Sequence, residues 1–280
     1  MKRIKVLSLL SFILLLTLPA CKSKDKTEKQ VHTNNTNDSS SLKEENVTFN
    51  ADSIQMNGYV VYDDKMQGKR PAIIVVPEWW GLNDYAKSRA KQLAGLGYIA
   101  MAMDMYGNGT QADNPTDAEK LATPFYAHPE MAKPRFEAAM EKLKSYAQTD
   151  PGKMGAIGYC FGGGQVIDMA KMGEDLKAVV SFHGNLAVIP PNKKMKTEIL
   201  VCHGEDDKFV LPAEVDKFKK QMDSVGAKYT FKSYPGATHA FTNPAATDLG
   251  KKFNMPIAYN AAADTASWNE MKSFFQRVFQ

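Results

Sequence analysis

The segment Gly158-Tyr159-Cys160-Phe161-Gly162 places a thiol between two glycines, where the short apolar run Met154 to Ile157 gives way to a stretch of helical period, Gly162 to Met172. A nucleophile held on a sharp strand-to-helix turn needs glycine on both sides, because the backbone passes too close for side chains; G-x-S-x-G is the hydroxyl form of this turn. At a helix start, unpaired N–H groups favour thiolate over thiol. A sulfur so placed can attack a carbonyl carbon and form a thioester, provided a base manages its proton and an acid stands behind the base. In folds with this turn the order along the chain is nucleophile, acid, histidine. His239 is the one histidine after His203, and it follows the last apolar run in Tyr234-Pro235-Gly236-Ala237-Thr238-His239. The acid should end the preceding run, where Asp206 and Asp207 are both candidates by position. The geometry of the turn makes the backbone N–H of Phe161 one donor to a developing oxyanion.

These residues need rigid elements beneath them. Apolar runs bounded by turn residues occur at Tyr59 to Tyr62, Ala72 to Val76, Tyr98 to Met103, Met154 to Ile157, Ala178 to Phe182, Ile199 to Cys202 and Tyr229 to Tyr234. Runs so short and so apolar read as strands buried on both faces. Helical periods lie between most of them: Asp84 to Leu96, Glu130 to Ala147, Gly162 to Met172, Pro212 to Val225 and Ala261 to Phe279. The alternation predicts an α/β fold, a mainly parallel central sheet with helices on both faces and an antiparallel start over Val47 to Tyr62. Ligands of such sheets bind beyond the carboxyl ends of the strands. The candidate residues all follow apolar runs, as do Glu78, Trp79 and Trp80.

The chain resembles the dienelactone hydrolase family, a Cys-His-Asp branch of the α/β-hydrolases. The likeness runs from about Val47 to the C-terminus. It is carried by Glu78, by Gly158 to Gly163, by His203-Gly204-Glu205-Asp206-Asp207-Lys208-Phe209-Val210 and by Gly236-Ala237-Thr238-His239-Ala240-Phe241. The resemblance selects Asp207, two residues before the Phe-Val pair, as the acid, and implies the Trp79 N–H as the second oxyanion donor. It implies too that Glu78 contacts the resting nucleophile and moves when substrate arrives. A charged carboxylate beside the thiol would in any case raise the thiol pKa. The implied activity is hydrolysis of a small carboxylic ester or lactone without cofactor or metal; an acyltransferase or a non-catalytic binding lipoprotein on the same fold are the alternatives. The chain departs from the family at its substrate-holding arginines: Asn243 stands four residues after His239, and Arg135 falls in a predicted helix out of register. His183 and His203 read as packing histidines, with His183 able to border the pocket, and Asp104 reads as a loop anchor.

At the N-terminus, Lys2, Arg3 and Lys5 precede the apolar run Val6 to Leu18, which ends in Leu18-Pro19-Ala20-Cys21. An apolar run of about 13 residues falls short of the roughly 20 needed to span a bilayer and suits a cleaved signal. The cysteine after Leu-x-Ala resembles a lipobox, which implies an acylated Cys21 and a lipid anchor in the bacterial cell envelope. The expected organisation is a signal peptide over 1–20, Cys21 with a polar tether over 21–46 that lacks apolar groups to bury, and one folded domain over 47–280 acting as a monomer. The formal net charge of +4 includes the three cations of the signal. The mature chain is therefore close to neutral, which argues against a nucleic-acid partner. The cysteines are Cys21, Cys160 and Cys202, with no C-x-x-C, which argues against disulfide redox chemistry.

Overall fold

The computed structural model describes residues 41–186 and 188–280; the signal, Cys21 and the tether as far as residue 40 lie outside them. Eight strands form one sheet in the order β1-β2-β4-β3-β5-β6-β7-β8. They are β1 (Leu42–Ala51), β2 (Ile54–Asp63), β3 (Arg70–Val76), β4 (Ile99–Met103), β5 (Thr149–Tyr159), β6 (Ala178–Phe182), β7 (Glu198–Gly204) and β8 (Tyr229–Tyr234). The β1–β2 and β2–β4 pairs are antiparallel and every other pair is parallel. Each predicted apolar run is a strand. The helices are α1 (Asp84–Gly95), α2 (Pro115–Ala127), α3 (Ala132–Lys144), α4 (Phe161–Met172), α5 (Pro212–Ser224), α6 (Ala246–Phe253) and α7 (Ala261–Val278).

Strand β3 explains why the runs are continuously apolar. Ile74 and Val76 join a core with Phe136 and Met140 of α3, Phe161 and Val166 of α4 and Phe218 of α5. Ile73 and Val75 point the other way, into a core with Ala86 and Leu93 of α1 and Phe274 and Phe275 of α7. Successive side chains of a strand alternate faces, and here both faces are covered. Each such side chain contributes about 1.5–3 kcal/mol by leaving water, so the strand ends that carry the site rest on a stiff support.

The folded unit begins before residue 47, where the sequence placed its start. β1 starts at Leu42 and pairs in register with β2 from Leu42–Asp63 to Ala51–Ile54. Residues 43–46 are polar because they form a solvent-facing edge strand, and charged side chains are the usual protection of such an edge. Polar partners hold them: Glu45 accepts from Tyr146 Oη at 2.8 Å, and Glu44 pairs with Lys91 at 3.0 Å. Two helices were absent from the expectation. α2 carries a readable start, since Asn114 accepts from the Asp117 N–H and Pro115 occupies the first turn, but Pro124 interrupts its pattern. α6 has eight residues, including Gly250.

Candidate active site

Cys160 occupies the turn between β5 and α4 with φ 52° and ψ −117°. This left-handed backbone is uncommon for a non-glycine residue and is retained only where surroundings enforce it. Here the Cys160 N–H donates to Phe182 O at 3.0 Å and to His183 Nδ1 at 3.1 Å, while the Gly162 N–H donates to Pro77 O at 3.1 Å. Both flanking glycines are dictated by close backbone: a Cβ on Gly158 would lie 2.0 Å from Gly162 O, and one on Gly162 would lie 2.3 Å from Val76 O. Phe161 opens α4, so its N–H is one of those without an intrahelical acceptor.

The sulfur is one end of a hydrogen-bonded line. His239 Nε2 lies 3.1 Å from Cys160 Sγ, and His239 Nδ1 lies 2.8 Å from Asp207 Oδ2. Asp207 Oδ1 accepts the N–H groups of Phe209 at 2.7 Å and Val210 at 3.1 Å. Of the two aspartates open by position, Asp207 is buried and reaches the histidine; Asp206 is exposed, and its N–H donates to Ala237 O. Burial opposes the charge on Asp207, but His239 and the two backbone donors outweigh it and hold the carboxyl below its usual range. Burial likewise opposes a charged His239, and the sulfur and the carboxylate overcome it, lifting the ring to about 10. A protonated His239 ring, held between the carboxylate and the sulfur, is the state this arrangement favours.

Glu78, at the end of β3, is 3 % exposed, and burial pushes its carboxyl up to about 7 against the bond from Asn243 and the charges of His239 and Arg89. The resemblance led us to expect contact between Glu78 and the resting sulfur. Instead Glu78 Oε2 accepts from Asn243 Nδ2 at 2.7 Å, and the hydrogen bond to the sulfur comes from His239. Trp79 and Trp80 pack edge to face at 5.2 Å and line, with Tyr126 of α2 and Phe209, a cavity of about 420 Å³ that also contains Cys160, His239 and Glu78. Tyr106 Oη donates to Trp79 O at 2.9 Å and thereby orients the peptide between Trp79 and Trp80.

The sequence profile described as the dienelactone hydrolase family matches residues 56–279. The chain belongs to the dienelactone hydrolase family. It is thus a hydrolase of the carboxylic ester and lactone class. Protein usf of Aquifex pyrophilus is 31% identical over 236 residues, which cover 82% of this chain and 96% of that protein. A dienelactone hydrolase-like promiscuous phosphotriesterase from metagenomic libraries superposes with a TM-score of 0.81 at 30% identity, covering 86% of this chain and 100% of that one. A thermophilic esterase from Thermogutta terrifontis has a TM-score of 0.60 at 16% identity over 84% of this chain and 94% of its own, a likeness of fold alone.

Within this family frame the remaining predicted residues find their places. Asp104 is a loop anchor, accepting from the N–H groups of Tyr106, Gly107 and Gly109 at 2.8–3.0 Å. Arg135 donates to the carbonyls of Met105 and Tyr106, away from the cavity. His203 packs against Phe231. His183 does more than pack: it supports the Cys160 backbone, and its Nε2 lies 2.7 Å from Thr242 Oγ1, which lies 2.7 Å from Tyr85 Oη. Burial, with the charges of His239 and Arg89, holds His183 neutral. Because Nδ1 accepts from the Cys160 N–H, the ring proton sits on Nε2. The residues absent from the sequence reading are Thr242, Tyr85, Arg89 and Tyr126, which reach the site by long-range packing; Thr242 alone carried a hint, as the neighbour of a motif residue, and Phe209, known there as half of the Phe-Val pair, proves to line the cavity. Cys160 and Cys202 are free; Cys202 is buried, which pushes its thiol up to about 12. Among the described residues, no His, Cys, Asp and Glu cluster suited to a metal ion occurs, and no helix is long and apolar enough to cross a membrane.

Proposed function

We propose that this enzyme cleaves its ester or lactone by covalent catalysis at Cys160. The observation that carries the reading is the unbroken line Asp207–His239–Cys160 opening into the cavity. The Cys160 thiolate attacks the carbonyl carbon, and the carbonyl electron pair moves to oxygen. The N–H groups of Phe161 and Trp79 hold this oxyanion, each such donor being worth about 3–4 kcal/mol in the transition state. Collapse expels the alcohol oxygen, which takes the proton from His239 Nε2 and leaves a thioester on Cys160. His239 then takes a proton from water, the hydroxide attacks the thioester, and the thiolate departs as the acid forms. Asp207 keeps Nδ1 protonated and stabilises the imidazolium throughout.

Cys160→Ala should abolish hydrolysis of short 4-nitrophenyl esters while the melting curve stays that of a folded protein. Intact-mass analysis of the wild type with a slow substrate should show one acyl group on Cys160. Wild-type turnover by the alanine variant would overturn the mechanism. We further propose that the mature protein is anchored in the bacterial cell envelope by acylated Cys21, with residues 22–41 as tether. We propose, too, that it acts as a monomer.

A further inference from the structure

We infer that this pocket accepts an uncharged acyl group and rejects one that carries a carboxylate, an inference that rests on the hydrolytic reading above. The cavity is walled by Trp79, Trp80, Tyr126, Phe209, Met255 and Ile257, and its charged lining consists of Glu78 at the base and Glu119 on the exposed face of α2. Among the described residues, no lysine or arginine lines it. The one basic lining group, His239, is engaged on both ring nitrogens by Asp207 and Cys160.

The guanidinium groups nearby are committed elsewhere. Arg89, whose charge reaches Glu78, donates to Thr242 O and Asp264 Oδ1, both at 2.6 Å. Arg135 is spent on two backbone carbonyls. Asn243 donates to Glu78 but brings no positive charge. A carboxylate entering this cavity gives up its hydration and finds no unpaired cation in exchange, because the His239 ring is already held between Asp207 and Cys160. It also meets the charge of Glu78 or forces that buried group to take up a proton, and each course opposes binding. An aliphatic or aromatic acyl group can rest on the apolar walls, which gain by leaving water. The discrimination therefore comes as much from groups that repel the wrong substrate as from those that hold the right one.

The test compares 4-nitrophenyl hexanoate with mono-4-nitrophenyl adipate, which puts a carboxylate where the first has a methyl group. The expected kcat/KM ratio favours hexanoate on the order of 100-fold for the full-length enzyme. Glu119→Lys, a change on an exposed helix face, should shrink that ratio at least several-fold by placing a cation at the rim. Adipate turned over as well as hexanoate by the wild type, or a ratio unmoved by Glu119→Lys, would overturn the inference. Hydrolysis of neither ester would instead count against the hydrolytic reading. The selectivity then still shows in the binding of the matching anilides, followed by the fluorescence of Trp79 and Trp80: hexananilide should quench at a far lower concentration than adipic acid monoanilide, and equal affinities would sink the inference.

Discussion

Replacing Asp207 with asparagine probes the hydrogen-bonded line at the place where its geometry makes the strongest demand. Asp207 Oδ1 is held by two backbone donors, Phe209 N–H and Val210 N–H. An asparagine amide turned with NH2 toward them would set donor against donor, so its oxygen must occupy the Oδ1 position. The NH2 group then stands where Oδ2 is now, 2.8 Å from His239 Nδ1, and donates to it. The ring is forced to carry its proton on Nε2, aimed at a sulfur 3.1 Å away, and can no longer receive the thiol proton. The imidazolium also loses its counter-charge. Two unit charges about 4 Å apart interact by about 4 kcal/mol at an effective dielectric of about 20, a factor of about 10³ in rate. The analogous change in a serine protease, where the wrong tautomer is likewise trapped, costs about 10⁴.

We therefore expect Asp207→Asn to lower kcat/KM for 4-nitrophenyl acetate by about 10³–10⁴. The pH midpoint for alkylation of Cys160 by iodoacetamide, followed by peptide mass spectrometry, should rise as the thiolate loses its cationic partner. Circular dichroism melts would establish that the variant is folded. A folded variant whose kcat/KM falls less than tenfold, with an unmoved alkylation midpoint, would refute the reasoning.

Glu78→Gln keeps an acceptor for Asn243 but removes a buried acid lifted from 4.5 to about 7. The folded wild type retains a proton that the unfolded chain releases between those values, so its stability falls as pH rises through that window, by about 3 kcal/mol in all. Denaturant melts should find the variant more stable at pH 8 by up to that amount and not at pH 4; equal stabilities at pH 8 would exclude a buried acid of this kind. The same variant should speed alkylation of Cys160 at pH 8, since a negative charge has left the cavity, and a slower rate would count against that. Cys21→Ser should move the protein from the membrane fraction to the soluble one, and retention in a detergent phase would refute the lipid anchor.

The order of elements and the elbow were readable because each depends on local chemistry. Val75 and Val76 in a run buried on both faces announce an inner parallel strand, and Gly158 and Gly162 around Cys160 announce backbone contact on both sides. The edge strand at residues 42–46 was not readable, since a solvent-facing edge has the composition of a tether and only pairing with β2 distinguishes them. α2 escaped notice because its apolar face is small, with Ala118, Ala122 and Phe125 as its buried residues.

The sequence by itself determined the chemistry of the three groups in the line and the chain order in which they appear, because a strand-to-helix turn of this composition has few other uses. Position in the chain left Asp206 and Asp207 both open and the family resemblance favoured Asp207; the tertiary structure supplied the physical reason, since of these two adjacent carboxylates it is Asp207 that faces the ring of His239. It also turned His183 from filler into the support of the Cys160 backbone and bound Glu78 to Asn243. Those outcomes depend on where side chains 23 and 165 positions apart come to rest. Hydrogen bonds and burial act over a few ångströms, and the distances between such residues exist only once the sheet has formed.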